Sequence, residues 1–286
     1  MPRSNGAPAF EHDFQLLTHR IRIESDSPDL HEVFGFLTNS CRQSIGVERT
    51  LRYAVTRVGE GVAVSNGGVD TAPGPSVAMS RLYTRMHHTV LGDLADAGWT
   101  RLHGGFVDVG GRGVLITGQP GAGKTTLCVR MLFDGADVGG DEYTMVRDGL
   151  AAAYPRRFHV RERTFDVIAE LRPLRSSILA HRDETAPKDR LVTYAFDPRV
   201  AGCDWRSDMR KIDAVYYLTP NHGGTSAVRA SSRHHMAMLL SSQSFTTEAD
   251  GARVVADVSG VVAEAECYEL EVGVPEEAAA LIMAAP

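Results

Sequence analysis

The residues with the plainest chemistry are G-Q-P-G-A-G-K-T-T, Gly118 to Thr126. Gly118, Gly123, Lys124 and Thr125 fill the four fixed places of G-x-x-x-x-G-K-[ST], a phosphate-binding pattern. Glycines let successive backbone N–H groups turn inward on an anion, and a helix starting there adds the positive end of its dipole. Gly118, Gly121, Gly123, Lys124, Thr125 and Thr126 are therefore the candidate nucleotide-binding residues. Lys124 would reach the β- and γ-phosphates of ATP, and the Thr125 hydroxyl would hold Mg²⁺. Lysine is scarce in this arginine-rich chain, with only Lys124, Lys188 and Lys211, so its presence at the fixed place weighs against coincidence.

Phosphoryl transfer needs positioning, charge neutralisation and a group to orient the nucleophile. Asp141 and Glu142 could supply a base and a metal ligand. They fall within 137–147 (D-V-G-G-D-E-Y-T-M-V-R), which reads as one strand with apolar flanks rather than a solvated acidic turn. Neighbours on an extended strand point to opposite faces, which suits one role each. His103, in L-H-G-G-F-V-D-V, could meet the γ-phosphate or an acid there, although a lone histidine on a strand is more often a satisfied core residue. Arg156, Arg157, Arg161 and Arg163 could bind an anionic substrate or form a solvated basic face. The glycines of Asn221–Gly224 would suit a lid.

These residues need elements to hold them. Val114–Thr117 is apolar and β-branched and Leu127–Leu132 is helix-compatible, so strand, glycine loop and helix follow in order. Residues 99–109 read as a strand returned antiparallel by Gly110-Gly111-Arg112-Gly113. The fold class expected is α/β: a P-loop domain with a mixed sheet over 76–286, opened by a long helix at 76–97. Adjacent His87 and His88 lack the i, i+4 spacing of a zinc pair and read as packing or surface residues. A small α+β unit over 14–75 comes first, with a strand at 14–24, a helix at 28–42 and a hairpin at 50–64. Residues 1–13 have the composition of a disordered tail.

Net charge −6 and the absence of a basic domain argue against nucleic acid as an obligatory partner. No uninterrupted apolar run is long enough to span a membrane. Four scattered cysteines without metal spacing, and an N-terminus unlike a signal peptide, fit a cytoplasmic location. The composition leaves a homo-oligomer open.

The run L-H-G-G-F-V-D-V-G-G-R-G-V-L-I-T-G-Q-P-G-A-G-K-T-T, followed by G-G-D-E-Y, resembles the catalytic domain of HPr kinase/phosphorylase and its relatives. Y-P-R-R-F (154–158), D-P-R (197–199) and Y-E-L-E-V-G-V-P-E-E-A-A-A-L-I (268–282) look like a branch that phosphorylates serine on lasso peptides. The resemblance covers about 99–286 and is most specific over 99–145. It implies Asp141 as the base that orients an attacking hydroxyl, His103 as its partner, and Lys124 and Thr125 on the phosphates and Mg²⁺. Glu142 stands where the family has a second aspartate and is the implied second metal ligand. The glycine-containing signature that follows the acidic pair in HPr kinases proper has no counterpart here. The expected activity is ATP- and Mg²⁺-dependent transfer of the γ-phosphoryl group to a hydroxyl on a peptide or small metabolite. The competing reading is a nucleotide-sensing module or slow ATPase, which needs the loop and no base.

Overall fold

The computed structural model of the protein describes residues 10–182, 192–245 and 251–285. Strand β1 (Phe10–Leu16) pairs antiparallel with β2 (His19–Ser25), each alternating buried and exposed positions. β1 thus begins inside the segment expected to be a tail. The reason is backbone pairing from Phe10↔Ser25 onward, fixed at the surface by Asp13, which accepts from Arg20 Nε (2.7 Å) and Arg22 Nε (3.1 Å). Residues 1–9 lie outside the described residues.

Helix α1 (Pro28–Phe34) opens on proline behind Ser27, then tightens to a 3₁₀ turn at Gly35–Leu37 instead of continuing to 42. Polar side chains capture the backbone there: Thr38 Oγ1 donates to the Gly35 carbonyl (2.9 Å) and Asn39 Oδ1 accepts from Cys41 N–H (3.1 Å). After the short β3 (Arg42–Gln43), strands β4 (Arg49–Val58), β5 (Gly61–Ser65) and β6 (Val69–Ala72) complete a sheet ordered β1-β2-β4-β5-β6. Helix α2 (Pro75–Asp96) lays Met79, Leu82, Met86, Val90 and Leu94 against it. The same apolar cluster takes in Trp99, Met145, Ala152 and Tyr154, so packing is continuous across residue 75.

The remaining elements, in chain order, start with β7 (Thr100–Val109), β8 (Arg112–Gly118), α3 (Lys124–Phe133), β9 (Asp137–Gly140), β10 (Tyr143–Arg147) and β11 (Leu150–Ala153). β12 (Phe158–Val160), α4 (Glu162–Val167), β13 (Leu179–Arg182), β14 (Val192–Phe196) and β15 (Arg206–Ser207) follow. The chain closes with β16 (Ala214–Pro220), β17 (Ala227–Ala230), α5 (Arg233–Ser242), β18 (Ser244–Phe245), α6 (Gly251–Glu264), β19 (Glu266–Val272) and α7 (Pro275–Met283). The larger sheet runs β11-β10-β7-β8-β16-β19-β17, with β9 and β18 also on β7. Strands β8, β16 and β19 are mutually parallel and β7 is antiparallel to β8, so the sheet is mixed. Leu102, Phe106, Leu115 and Val215 form one face, packed under Met236 and Leu240 of α5 and Val254 and Val258 of α6. Val107, Val114 and Ile116 form the other, under Leu127 and Met131 of α3 and Ile282 of α7. The protein is therefore a mixed α/β fold with several sheets.

One further local expectation changes: the segment 137–147 is two strands, broken at Asp141–Glu142. Downstream, α4 stops at Val167 and gives way to a 3₁₀ stretch containing Pro173, whose ring cannot sit inside an α-helix. Residues 183–191 lie outside the described residues.

Candidate active site

The site begins where β8 ends. Gly118 (φ 151°), Gly121 (φ 86°) and Gly123 (φ 95°) carry positive φ, a conformation that suits glycine. A Cβ at Gly118 would stand 2.8 Å from the Leu218 carbonyl of β16, so this glycine also permits close strand packing. Helix α3 starts at Lys124, directly behind Gly123. Lys124 Nζ folds back over the loop and donates to the Gly118 carbonyl (2.7 Å) and the Gln119 carbonyl (3.3 Å). Burial lowers the Lys124 pKa, and the nearby Glu142 and Asp141 carboxylates oppose that shift. Thr126 is half-buried in the first turn of α3.

Glycines also bring the carboxylates in. A Cβ on Gly105 of β7 would meet Cys128 Sγ of α3 at 2.5 Å and the Asp141 Cα at 3.2 Å. On β9, a Cβ at Gly139 would stand 2.8 Å from Ala153 Cβ, and one at Gly140 3.1 Å from the Tyr154 carbonyl. The H-G-G and G-G-D-E runs are thus the two sides of one tight crossing, with Gly104 N–H donating to the Glu142 carbonyl (3.0 Å). Cys128 fills the space above it as a buried thiol whose pKa burial pushes up.

Asp141 is 2% exposed. Its Oδ2 accepts from Thr125 Oγ1 at 2.6 Å, and its Oδ1 is buried with no partner among the described residues. Burial raises its pKa to about 6, against the pull of Arg156, and the Glu142 charge adds to the rise. A buried carboxylate with one unclaimed oxygen and a pKa near neutrality has the character of a general base. Glu142 leaves the same bend toward Arg156, whose Nη2 donates to its Oε2 at 3.1 Å. Burial opposes ionisation of Glu142, yet Arg156 and then His103 hold its pKa below the ordinary value. Arg156 itself is anchored on α2, donating from Nη1 to Tyr83 Oη at 2.6 Å, while its Nε is buried without a partner.

His103 sits on β7 opposite Tyr143. Its backbone N–H donates to the Gln243 carbonyl (2.7 Å), and among the described residues no hydrogen bond joins it to Asp141. Asp141 is bonded instead to Thr125, in the first turn of α3. Burial, and then the Lys124 charge, lower the His103 pKa, which favours neutral imidazole.

The four arginines do not act as a group. Arg156 belongs to the carboxylate wall. Arg157 donates from Nη2 to Thr38 Oγ1 (2.9 Å) and lies 3.5 Å from Asp197, so it ties the entry to β12 to the segment that follows the 3₁₀ turn at Gly35–Leu37. Arg161 bonds the Thr193 hydroxyl of β14, and Arg163 is exposed with no hydrogen bond or ion pair among the described residues. Sequence spacing suggested a cluster, but the chain passes through β12 and into α4, which sends these side chains apart. His87, by contrast, is the packing residue expected: it is buried, with its ring 2.8 Å from Tyr154 Oη. One residue beside the carboxylates went unremarked as such: Tyr83, which accepts from Arg156.

The oxygen donors Thr125, Asp141 and Glu142 suit a hard cation such as Mg²⁺, which takes one or two carboxylates and completes its shell with water and phosphate. Among the described residues no three or more His, Cys, Asp or Glu side chains form a metal-ligand group. No described helix is long and apolar enough to cross a membrane.

No protein-family model matches this chain, and no curated protein matches it either. Among solved structures, it is similar to the HPr(Ser) kinase/phosphatase from Coxiella burnetii, with 11% identity, 64% of this chain and 91% of that one covered, and a TM-score of 0.33. A likeness this distant leaves the chemistry to be judged from the residues themselves.

Proposed function

We propose that the protein is an ATP- and Mg²⁺-dependent phosphotransferase with a hydroxyl acceptor, and that Gly118–Thr126 is its P-loop. The observation that carries this reading is the buried Asp141 carboxylate, held 2.6 Å from Thr125 Oγ1 at the start of α3, with one oxygen unclaimed and its pKa near 6. Loop N–H groups, Lys124 and the start of α3 hold the phosphates. Thr125 and the free oxygen of Glu142 hold Mg²⁺, which when bound neutralises charge on the transferring group. Asp141 Oδ1 accepts the acceptor's hydroxyl proton as that oxygen bonds to Pγ and the bond from Pγ to the ADP oxygen breaks. His103, kept neutral, lines the approach without competing for that proton. The N-terminal unit over 14–75 adds no catalytic group and contributes α2-side packing to the wall that carries Arg156.

The test is Asp141→Asn, which preserves shape and removes the basic oxygen. Transfer should drop by roughly 10²-fold or more while ATP affinity changes little. Near-normal transfer in this variant would return the protein to the class of nucleotide-binding modules.

A further inference from the structure

Helix α2 carries an arginine whose best donors are unclaimed. Arg85 Nε and Nη2, the two nitrogens on the side-on edge of the guanidinium fork, are buried without a hydrogen-bond partner among the described residues. The guanidinium carbon stands 5.8 Å from the ring centre of Tyr53 on β4. Tyr53 is 1% exposed, and its hydroxyl too is buried without a partner among the described residues. β4 pairs with β5 through Ala54↔Ser65, so Tyr53 and Asn66 come opposite each other one position on and share a side of the sheet. Burial raises the Tyr53 pKa, and first the Asn66 side chain, then the Arg85 charge, oppose that rise, as neighbours of the hydroxyl would. Asn66 is exposed and Arg85 half-buried, so the cluster opens to solvent.

Acids nearby are engaged elsewhere. Asp93 accepts from His19 Nε2 at 2.9 Å and from Arg49, and Asp70 lies 3.2 Å from Arg81 Nη1. Other arginines of this unit have carboxylates: Arg20 and Arg22 share Asp13, and Arg57 bonds Asp29. A buried charged donor without an acceptor is costly, and a buried hydroxyl adds to the cost. Two N–H groups in one plane with an O–H beside them, under one positive charge, are complementary to an oxyanion.

We propose that Arg85, Tyr53 and Asn66 form an oxyanion-binding site between the N-terminal sheet and α2. The Arg85 fork takes the phosphate or carboxylate group of a small molecule, Tyr53 donates its hydroxyl, and Asn66 closes the solvent side. The site uses other elements than the glycine loop and does not rest on the phosphotransfer reading. Arg85 is two residues from Tyr83 on α2, so the ligand sits on the helix that also holds Arg156.

The test is a titration of the full chain with inorganic phosphate and, separately, with acetate, by calorimetry and thermal unfolding, with chloride holding the ionic strength constant. The glycine loop is itself suited to anions, so the titrations are run in Lys124→Ala, alone and combined with each variant below. Saturable binding is expected in Lys124→Ala, and the anion that binds identifies the source. Adding Arg85→Met keeps an apolar stem over Tyr53 and should weaken that binding about tenfold to hundredfold, and Tyr53→Phe about threefold to tenfold. Because the fork is unpaired in the anion-free protein, Arg85→Met should cost no stability there and should lose only the increment that the anion adds. Arg85→Lys keeps the charge without the fork and should retain part of the affinity. No saturable binding of either anion overturns the proposal, as does chloride competing as well as phosphate or acetate, which means an adventitious ion only. Affinity unchanged in Arg85→Met overturns it too. If Arg85→Met unfolds, Arg85→Lys decides: full affinity without the fork overturns the two-point site.

Discussion

The site has two walls, and they are made of different material. The loop-side wall is backbone: contiguous residues, three glycines at positive φ, and Lys124 bonded to carbonyls of its own loop. The carboxylate-side wall is side chain: Asp141, Glu142, Arg156 and Tyr83 converge from a bend, a strand exit and a helix far apart in the chain. The first wall is fixed by local geometry and offers invariant N–H groups. The second is fixed by burial and pairing, with Asp141 Oδ1 and Arg156 Nε still unclaimed. The proton affinity of the proposed base, Asp141, is set mainly on the second wall, by burial, Arg156 and Glu142, with the Thr125 hydroxyl contributing from the first. Substitutions on the two walls should fail in different ways.

The largest effect is expected on the backbone wall. Lys124→Ala removes the proposed β/γ-phosphate cation together with its bonds to the Gly118 and Gln119 carbonyls. Turnover should drop by at least about 10³-fold, with weakened ATP binding measured by calorimetry. Wild-type turnover would take the loop out of the site altogether.

Next comes Asp141, where the second wall shows a pH signature that the first cannot. Acceptor kcat/KM should rise with pH through about 6 as Asp141 ionises, and Asp141→Asn should lose that limb as well as its rate. Stability should carry the opposite slope. Because the folded pKa lies above the ordinary aspartate value of 3.8, this group's contribution is full below about pH 4. It is lost as pH rises through 6, by about 3 kcal/mol for a shift of this size. Denaturant titrations of nucleotide-free protein between pH 4 and 7 should show that decline, and Asp141→Asn should flatten it.

The two walls also differ in how far they could be read from sequence. Gly118, Gly123, Lys124 and Thr125 stand together in the structure as in the sequence, because a contiguous loop leaves a contiguous pattern. The acidic pair was legible from its apolar flanks and glycines, but not its bend, since only the pairing of β9 and β10 to different stretches of β7 forces the break. The Thr125 partner of Asp141 and the Tyr83 partner of Arg156 leave no periodic trace, because each contact joins separate elements across the sheet. The arginine group misled for the same reason: closeness in sequence over 156–163 says nothing where the chain turns from strand into helix. β1 escaped a compositional reading because Pro, Gly and Ala in residues 1–9 set the tone for a segment whose last four residues pair with β2.

A smaller effect, but one that sharpens the contrast, is expected at Arg156. Arg156→Met keeps the apolar stem and leaves Glu142 and Asp141 without their shared cation. Both carboxyl pKa values should then rise, moving the acidic limb of kcat/KM to higher pH, and by more than in Lys124→Ala, because Arg156 is the largest charge acting on both carboxylates. Stability should fall by roughly 3 kcal/mol, the scale for removing one member of a buried pair. An unmoved limb would mean that Arg156 is structural only.

The smallest expected effect tests whether the wall reaches as far as α2. Tyr83 touches neither nucleotide nor base; it accepts from Arg156 Nη1 at 2.6 Å and stands edge-on to the His87 ring, 4.4 Å between centres. His87 is in turn bonded to Tyr154, whose carbonyl packs against Gly140 at the root of the Asp141 bend. Tyr83→Phe leaves the ring and its packing in place and removes one acceptor. Arg156 then has two open donors instead of one, costing about 1–3 kcal/mol if it stays. If it shifts to find water, its hold on Asp141 weakens. Either way the change is indirect, so kcat should fall only severalfold, with ATP KM unaltered and the acidic limb displaced in the same direction as in Arg156→Met but by less. A variant with lower stability and an undisplaced limb would make Tyr83 a packing residue. The carboxylate wall would then end at Arg156, and α2 would support the site without positioning it.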